Sequence, residues 1–178
     1  MRKCARLTLS ICILLLLIGC AVAKPRKLSK KTANALLKVH LRPGETLAHA
    51  AFSGPFGPSK QSIFVLVDRR LPKKAQTFDG FVVADKRHPL PIPDTQWPSG
   101  ITVVAVILDD IDKDGVIEPI IMTTYMTGMG PDGAKDQHEN FVVDWRKDKF
   151  VRLPAVEKRI KHLSSAKKIR AKLRSKRK

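Results

Sequence analysis

Beyond residue 20 this chain has no cysteine. Cys4, Cys12 and Cys20 are all of them, in a sequence of 178 residues. A disulfide framework is therefore excluded for the rest of the chain, as is a thiol nucleophile. Stability has to come from packing or from a bound metal. Long apolar runs are scarce as well. There is one, Leu7 to Leu17, and at about 11 residues it falls short of the roughly 20 that a membrane-spanning helix needs. Acids are nearly missing from both ends of the chain, and aromatics are absent there. Residues 24–40 carry Lys24, Arg26, Lys27, Lys30, Lys31 and Lys38 with no Asp or Glu. Residues 157–178 carry 11 Lys and Arg against Glu157 alone. Neither segment contains Phe, Tyr or Trp.

These absences shape the reading of what is present. The formal charge of +18 suggests a nucleic-acid binder. The segment 41–156, however, holds 14 basic and 15 acidic residues and is close to neutral. The charge sits in two terminal arms, without the aromatics on which bases stack. Nucleic acid is thereby disfavoured as a partner. The 157–178 arm suits an anionic lipid, lipopolysaccharide or another acidic polymer, or serves only as a solvated tail.

Residues 1–23 read as an export signal. Arg2, Lys3 and Arg6 precede the apolar run, whose length is that of a signal-peptide core. Two endings are open. Ala21-Val22-Ala23 is a small-residue cleavage site that would release a soluble chain starting at Lys24. Leu17-Ile18-Gly19-Cys20 resembles the bacterial lipobox, which implies lipidation of Cys20 and a membrane anchor. A lipid anchor holds because each buried methylene contributes about 0.8 kcal/mol. The expected location is the cell envelope, as a periplasmic or outer-membrane-associated lipoprotein, or otherwise secretion.

The remaining 155 or so residues suffice for one domain with a real core. Ser29 is placed to cap a short helix with Ala33, Leu36 and Leu37 on one face, ended by Pro43-Gly44. Residues 46–52 read as a strand and 54–58 as a loop. Ser62 to Asp68 and Phe81 to Ala84 are apolar runs that predict buried strands. Pro89, Pro91, Pro93 and Pro98 exclude a central strand from 85–100. Ile101 to Leu108 predicts a strong strand with Val116 to Tyr125 as its antiparallel partner. Residues 128–139 read as a polar loop. Asn140 to Arg146 and Lys149 to Leu153 predict a closing hairpin about Lys147-Asp148. From Pro154 the apolar spacing is helical, through Val156, Ile160, Leu163, Ile169 and Leu173. The first half of that helix is expected to dock and the rest to extend into solvent. The expected fold class is α+β: a mainly antiparallel sheet, a blade-like meander, with a short N-terminal helix and a basic C-terminal helix. No internal repeat is present.

One stretch carries chemistry. Asp110-Ile111-Asp112-Lys113-Asp114-Gly115-Val116-Ile117-Glu118 places four carboxylates around a tight turn. Such hard oxygen donors suit calcium, with the Val116 carbonyl as a further ligand. Gly115 permits the turn. An EF-hand would need its second-arm glutamate where Ile121 stands, and helices on both flanks. The pattern over residues 101–125, and loosely the hairpin around Trp145, resembles the calcium loop of FG-GAP (integrin-type) and VCBS β-propeller units. There Asp110, Asp112, Asp114 and Glu118 match the ligand positions, with Glu in place of the commoner final Asp. One copy implies a single unit and not a complete propeller.

Catalytic patterns are absent. His138-Glu139 lacks the second histidine of a zinc-protease motif, since Val142 stands in its place. No G-x-S-x-G elbow occurs. The function expected is a non-catalytic envelope or binding module with one calcium loop. A hydrolase acting on an envelope polymer through Asp132, Asp136 or Glu139 is the alternative, and a nucleic-acid or anionic-polymer binder is a third.

Overall fold

The computed structural model describes residues 24–69, 77–84, 88–93, 101–127 and 135–175. Residues 1–23, expected to be an export signal and including Cys20, and Asp132 lie outside them. Ten strands and three helices fall within. Short strands β1 (Arg26–Lys27) and β2 (Thr46–Leu47) flank helix α1 (Lys30–Leu37). Strands β3 (Phe52–Phe56), β4 (Ser59–Arg69), β5 (Thr77–Val83) and β6 (Leu90–Pro91) follow. Then come β7 (Thr102–Asp109), β8 (Glu118–Thr127), β9 (Lys135–Arg146) and β10 (Lys149–Arg152). Helices α2 (Pro154–Ile160) and α3 (Ala166–Arg174) close the chain.

Two antiparallel sheets result. One runs β1-β3-β4-β5-β6, with β2 added beside β4; the other is the meander β10-β9-β8-β7. Side chains alternate between the faces of a strand, so each sheet offers two apolar faces if both alternating sets are apolar. That is the case here. Phe64, Leu66, Phe78 and Val82 of the first sheet meet Ile121, Phe141, Val143 and Phe150 of the second in a shared core. The outer face of the first sheet, with Val65, Val67 and Val83, is covered by Ala33 and Leu37 of α1. The outer face of the second, with Ile107, Ile120, Met122 and Val142, is covered by Ile160, Ile169 and Leu173 of α2 and α3. The layers are thus helix, sheet, sheet, helix. The mainly antiparallel α+β class agrees with expectation.

Several local expectations are corrected. Residues 54–56 lie in β3 and not in a loop. Pro55 is tolerated because the ladder to β4 shifts register between Gly54 and Phe56, where a missing N–H costs least. Residues 135–139, expected in a loop, extend β9. They are polar, yet their backbones pair with Tyr125 to Thr127 and Thr123 to Thr124 of β8. The C-terminal helix is two helices. The chain breaks after Ile160, and Ser165 restarts it by accepting from the Lys168 N–H. The break folds α3 back, so Ile169 and Leu173 are buried and the second half docks as well as the first.

Polar groups fix α2 on the sheet. The Asn140 amide on β9 donates to the carbonyl of Ile160 at 2.6 Å, which also accepts the Leu163 N–H, and to that of Leu163 at 2.9 Å, just beyond the end of α2. Buried Glu157 accepts from the Val142 backbone N–H at 3.0 Å and from both sides of the Arg152 guanidinium, at 3.0 and 2.7 Å. The β9–β10 turn puts Lys147 and Asp148 at φ of +49° and +61°, the geometry that matches a two-residue hairpin to strand twist.

Candidate metal centre

The turn from β7 to β8 is held from both sides. Asp109 and Glu118 form the last rung of the ladder. Ile111 packs towards the helix-covered core and Ile117 is buried in the core between the sheets. The Ile117 N–H also donates to the Pro55 carbonyl of β3 at 2.9 Å. Between these anchors the backbone turns through Lys113 at φ +68° and Gly115 at φ +89°. Left-handed backbone is cheap for Gly115.

The acids turn inward by bonding to their own loop. Asp110 accepts from the Gly115 N–H at 3.2 Å, Asp112 from Asp114 at 3.3 Å and Asp114 from Val116 at 2.8 Å. Glu118 reaches back across the turn to accept from the Ile111 N–H. The result gathers Asp110, Asp112, Asp114 and Glu118, with one carboxylate oxygen of each lying within 4.8 Å of the others. Val116 lies in the same turn, half-buried.

Charge in this arrangement is poorly neutralised. Glu118 is only 1% exposed, and its Oε1 is buried without a hydrogen-bond partner. Burial, with Asp112, Asp144 and Asp110 nearby, pushes its carboxyl up to about 8, against the pull of the Ile111 N–H. Burial and Asp114 also raise Asp112. A metal ion held by these same oxygens would remove the repulsion. The all-oxygen donor set and the orphaned Glu118 oxygen fit a hard cation.

Two residues of this neighbourhood were missed by sequence reasoning. Asp144, on β9, is 2% exposed and accepts from the Arg146 guanidinium. Arg146 also stands 4.0 Å from Asp112. The signal available was the period-two face Asn140, Val142, Asp144, Arg146, together with the hairpin register.

The residues named for hydrolysis do not assemble. Asp136 and Glu139 stand an odd number of positions apart on β9, so they face opposite sides of the sheet. A cleft of about 860 Å³ is lined by α1 and by residues on either side of it up to Ala51, and none of the site acids lines it. Leu28, Leu41 and Leu47 line it together with Lys27, Lys30, Lys38 and Arg42, and Glu45 is its one acid. No helix among the described residues is long and apolar enough to cross a membrane. The chain matches no family model, no curated protein and no solved structure.

Proposed function

We propose that this protein is an exported, membrane-anchored, non-catalytic envelope or binding module that holds one calcium ion in its 110–118 loop. The observation that carries the reading is the buried, unpartnered Oε1 of Glu118 in a ring with three aspartates. A buried carboxyl oxygen without a partner is costly, and a bound cation both satisfies it and favours its ionised form. Calcium is favoured over magnesium because a flexible loop of carboxylates and carbonyls suits its larger, looser coordination. The ligands are Asp110, Asp112, Asp114 and Glu118, with the Val116 carbonyl. The strand–loop–strand setting in a four-stranded meander is in keeping with the FG-GAP and VCBS resemblance and with a blade-like unit.

Anchoring is proposed through Cys20, on the lipobox-like residues before it. The outer face of α3 supports a second contact with an anionic lipid, lipopolysaccharide or acidic polymer. Lys167, Lys168, Arg170, Lys172 and Arg174 are all exposed there, while Ile169 and Leu173 hold the helix down. Two measurements test this function. Thermal melts should show a midpoint that rises in millimolar calcium and falls in chelator, and Asp112→Ala or Asp114→Ala should abolish the response. Mass spectrometry of the mature N-terminus should find a lipidated Cys20; an unmodified Lys24 start would remove the anchor and leave export intact.

A further inference from the structure

The loop acids are not the whole charge of the site. Ile120 of β8 pairs with Val142 of β9. That is the last rung of the ladder; Glu118 and Asp144 lie two residues beyond it on their strands, outside the paired register, and the charge of Asp144 acts on both Glu118 and Asp112. Side chains alternate, so Glu118 and Asp144 share the face of Ile120 and Val142, beneath α2 and α3. Asp144 is 2% exposed, and its Oδ1 is buried and accepts no hydrogen bond, as is true of Oε1 of Glu118. Two such oxygens on neighbouring strands repel each other in a place that water does not reach. The other oxygen of Asp144 holds Arg146, whose guanidinium also reaches to 4.0 Å from Asp112. Arg146 is half-exposed and can leave for solvent without opening the core.

We infer that Asp144 is the fifth carboxylate of the metal site and that Arg146 is its built-in competitor. The inference rests on the calcium reading above. A divalent cation takes over the neutralisation of Asp144 and Asp112, and Arg146 swings out. Because Asp144 belongs to β9, the ion then ties the β7–β8 turn to the β9–β10 hairpin and through it to α2. Occupancy of the loop is thereby felt by the helical layer that carries the basic face.

Calcium is titrated calorimetrically into the full chain held in detergent, and into four variants. Asp144→Asn should weaken binding by about tenfold or more, the scale of losing one charged ligand. Arg146→Gln should tighten it by about threefold, through loss of a competing charge. Lys147→Gln and Asp148→Asn make the same charge changes in the exposed turn next door and should move affinity by less than about twofold, since surface charge is screened. Opposite signs for Asp144 and Arg146 are diagnostic, because breaking a merely structural ion pair would move both variants the same way. If Asp144→Asn does not fold, Arg146→Gln decides alone: unchanged or weaker binding overturns the inference. A wild type that gives no binding heat defeats the calcium reading itself. A wild type that binds while Asp144→Asn binds equally well overturns only the fifth carboxylate.

Discussion

Replacing Glu118 by glutamine separates the cost of its charge from its use. The glutamine keeps the shape and still accepts from the Ile111 N–H. It removes a carboxylate whose folded-state value is pushed up to about 8, from an ordinary 4.5. The unfolded chain therefore ionises Glu118 near pH 4.5, whereas the folded protein without metal keeps it protonated until about pH 8. Across that window the folded state binds the extra proton, so stability falls as pH rises, by at most about 1.4 kcal/mol per pH unit. Below pH 4.5 the group contributes no pH dependence, and above 8 the whole penalty is present. The ceiling over the window is about 5 kcal/mol, and solvent at the exposed side of the loop reduces it to about 2 kcal/mol. In chelator, Glu118→Gln should therefore be about 2 kcal/mol more stable than wild type at pH 8 and equal to it at pH 4.5. In saturating calcium the order should reverse, because the variant has lost a ligand. Urea denaturation at several pH values, with and without calcium, measures the differences and cancels other titrating groups such as His49. A variant less stable than wild type at pH 8 in chelator, or a difference that does not change with pH, would refute this reasoning.

Other expected outcomes follow from single packing features. Asn140→Ala removes the side-chain donor from the carbonyls of Ile160 and Leu163, leaving Ile160 only the Leu163 N–H, and should destabilise by about 1–3 kcal/mol in urea melts, with loss of helical circular dichroism as α2 and α3 loosen. Gly57→Ala meets two obstacles, a φ of +72° and a new Cβ only 2.8 Å from Cζ of Phe150, and should cost about 2–3 kcal/mol by the same assay. Glu157→Ala removes two hydrogen bonds from Arg152 and leaves the buried Val142 N–H without its acceptor, and should cost about 3 kcal/mol, whereas Asp136→Ala on the exposed rim should change little.

Much of the fold was legible because local patterns and tertiary packing agree. Ile63 to Val67 is apolar on both alternating sets, one buried between the sheets and one beneath a helix, whereas Ile101 to Leu108, on the sheet edge, buries Ile101 and Ile107 and leaves Val104 exposed. The errors come from places where partners outvote composition. Residues 135–139 look like a loop because every side chain is polar, but the β8 backbone supplies their hydrogen bonds. Pro55 looked like a strand breaker until a register shift removed the need for its N–H. The apolar spacing from Val156 to Leu173 predicts one helix, but Asn140 ends α2 from across the sheet and Ser165 starts α3 afresh. At the site, Asp110 to Glu118 were found because ligand spacing within one turn is a local property. Asp144 and Arg146 were not, because their part depends on strand register, which no single stretch of sequence records.

The 110–118 loop is proposed to bind calcium. Calorimetric titration of calcium into the metal-stripped protein tests it most directly. At a free concentration a hundredfold above the dissociation constant, stabilisation should be about 2.7 kcal/mol, and a site of this kind is expected to bind at roughly 0.1–1 mM. One ion should bind per chain, Asp112→Ala and Asp114→Ala should each remove the binding heat, and Asp148→Ala should preserve it. Absence of binding heat in the wild-type protein at millimolar calcium, or heat that survives in Asp112→Ala and Asp114→Ala, would contradict the account.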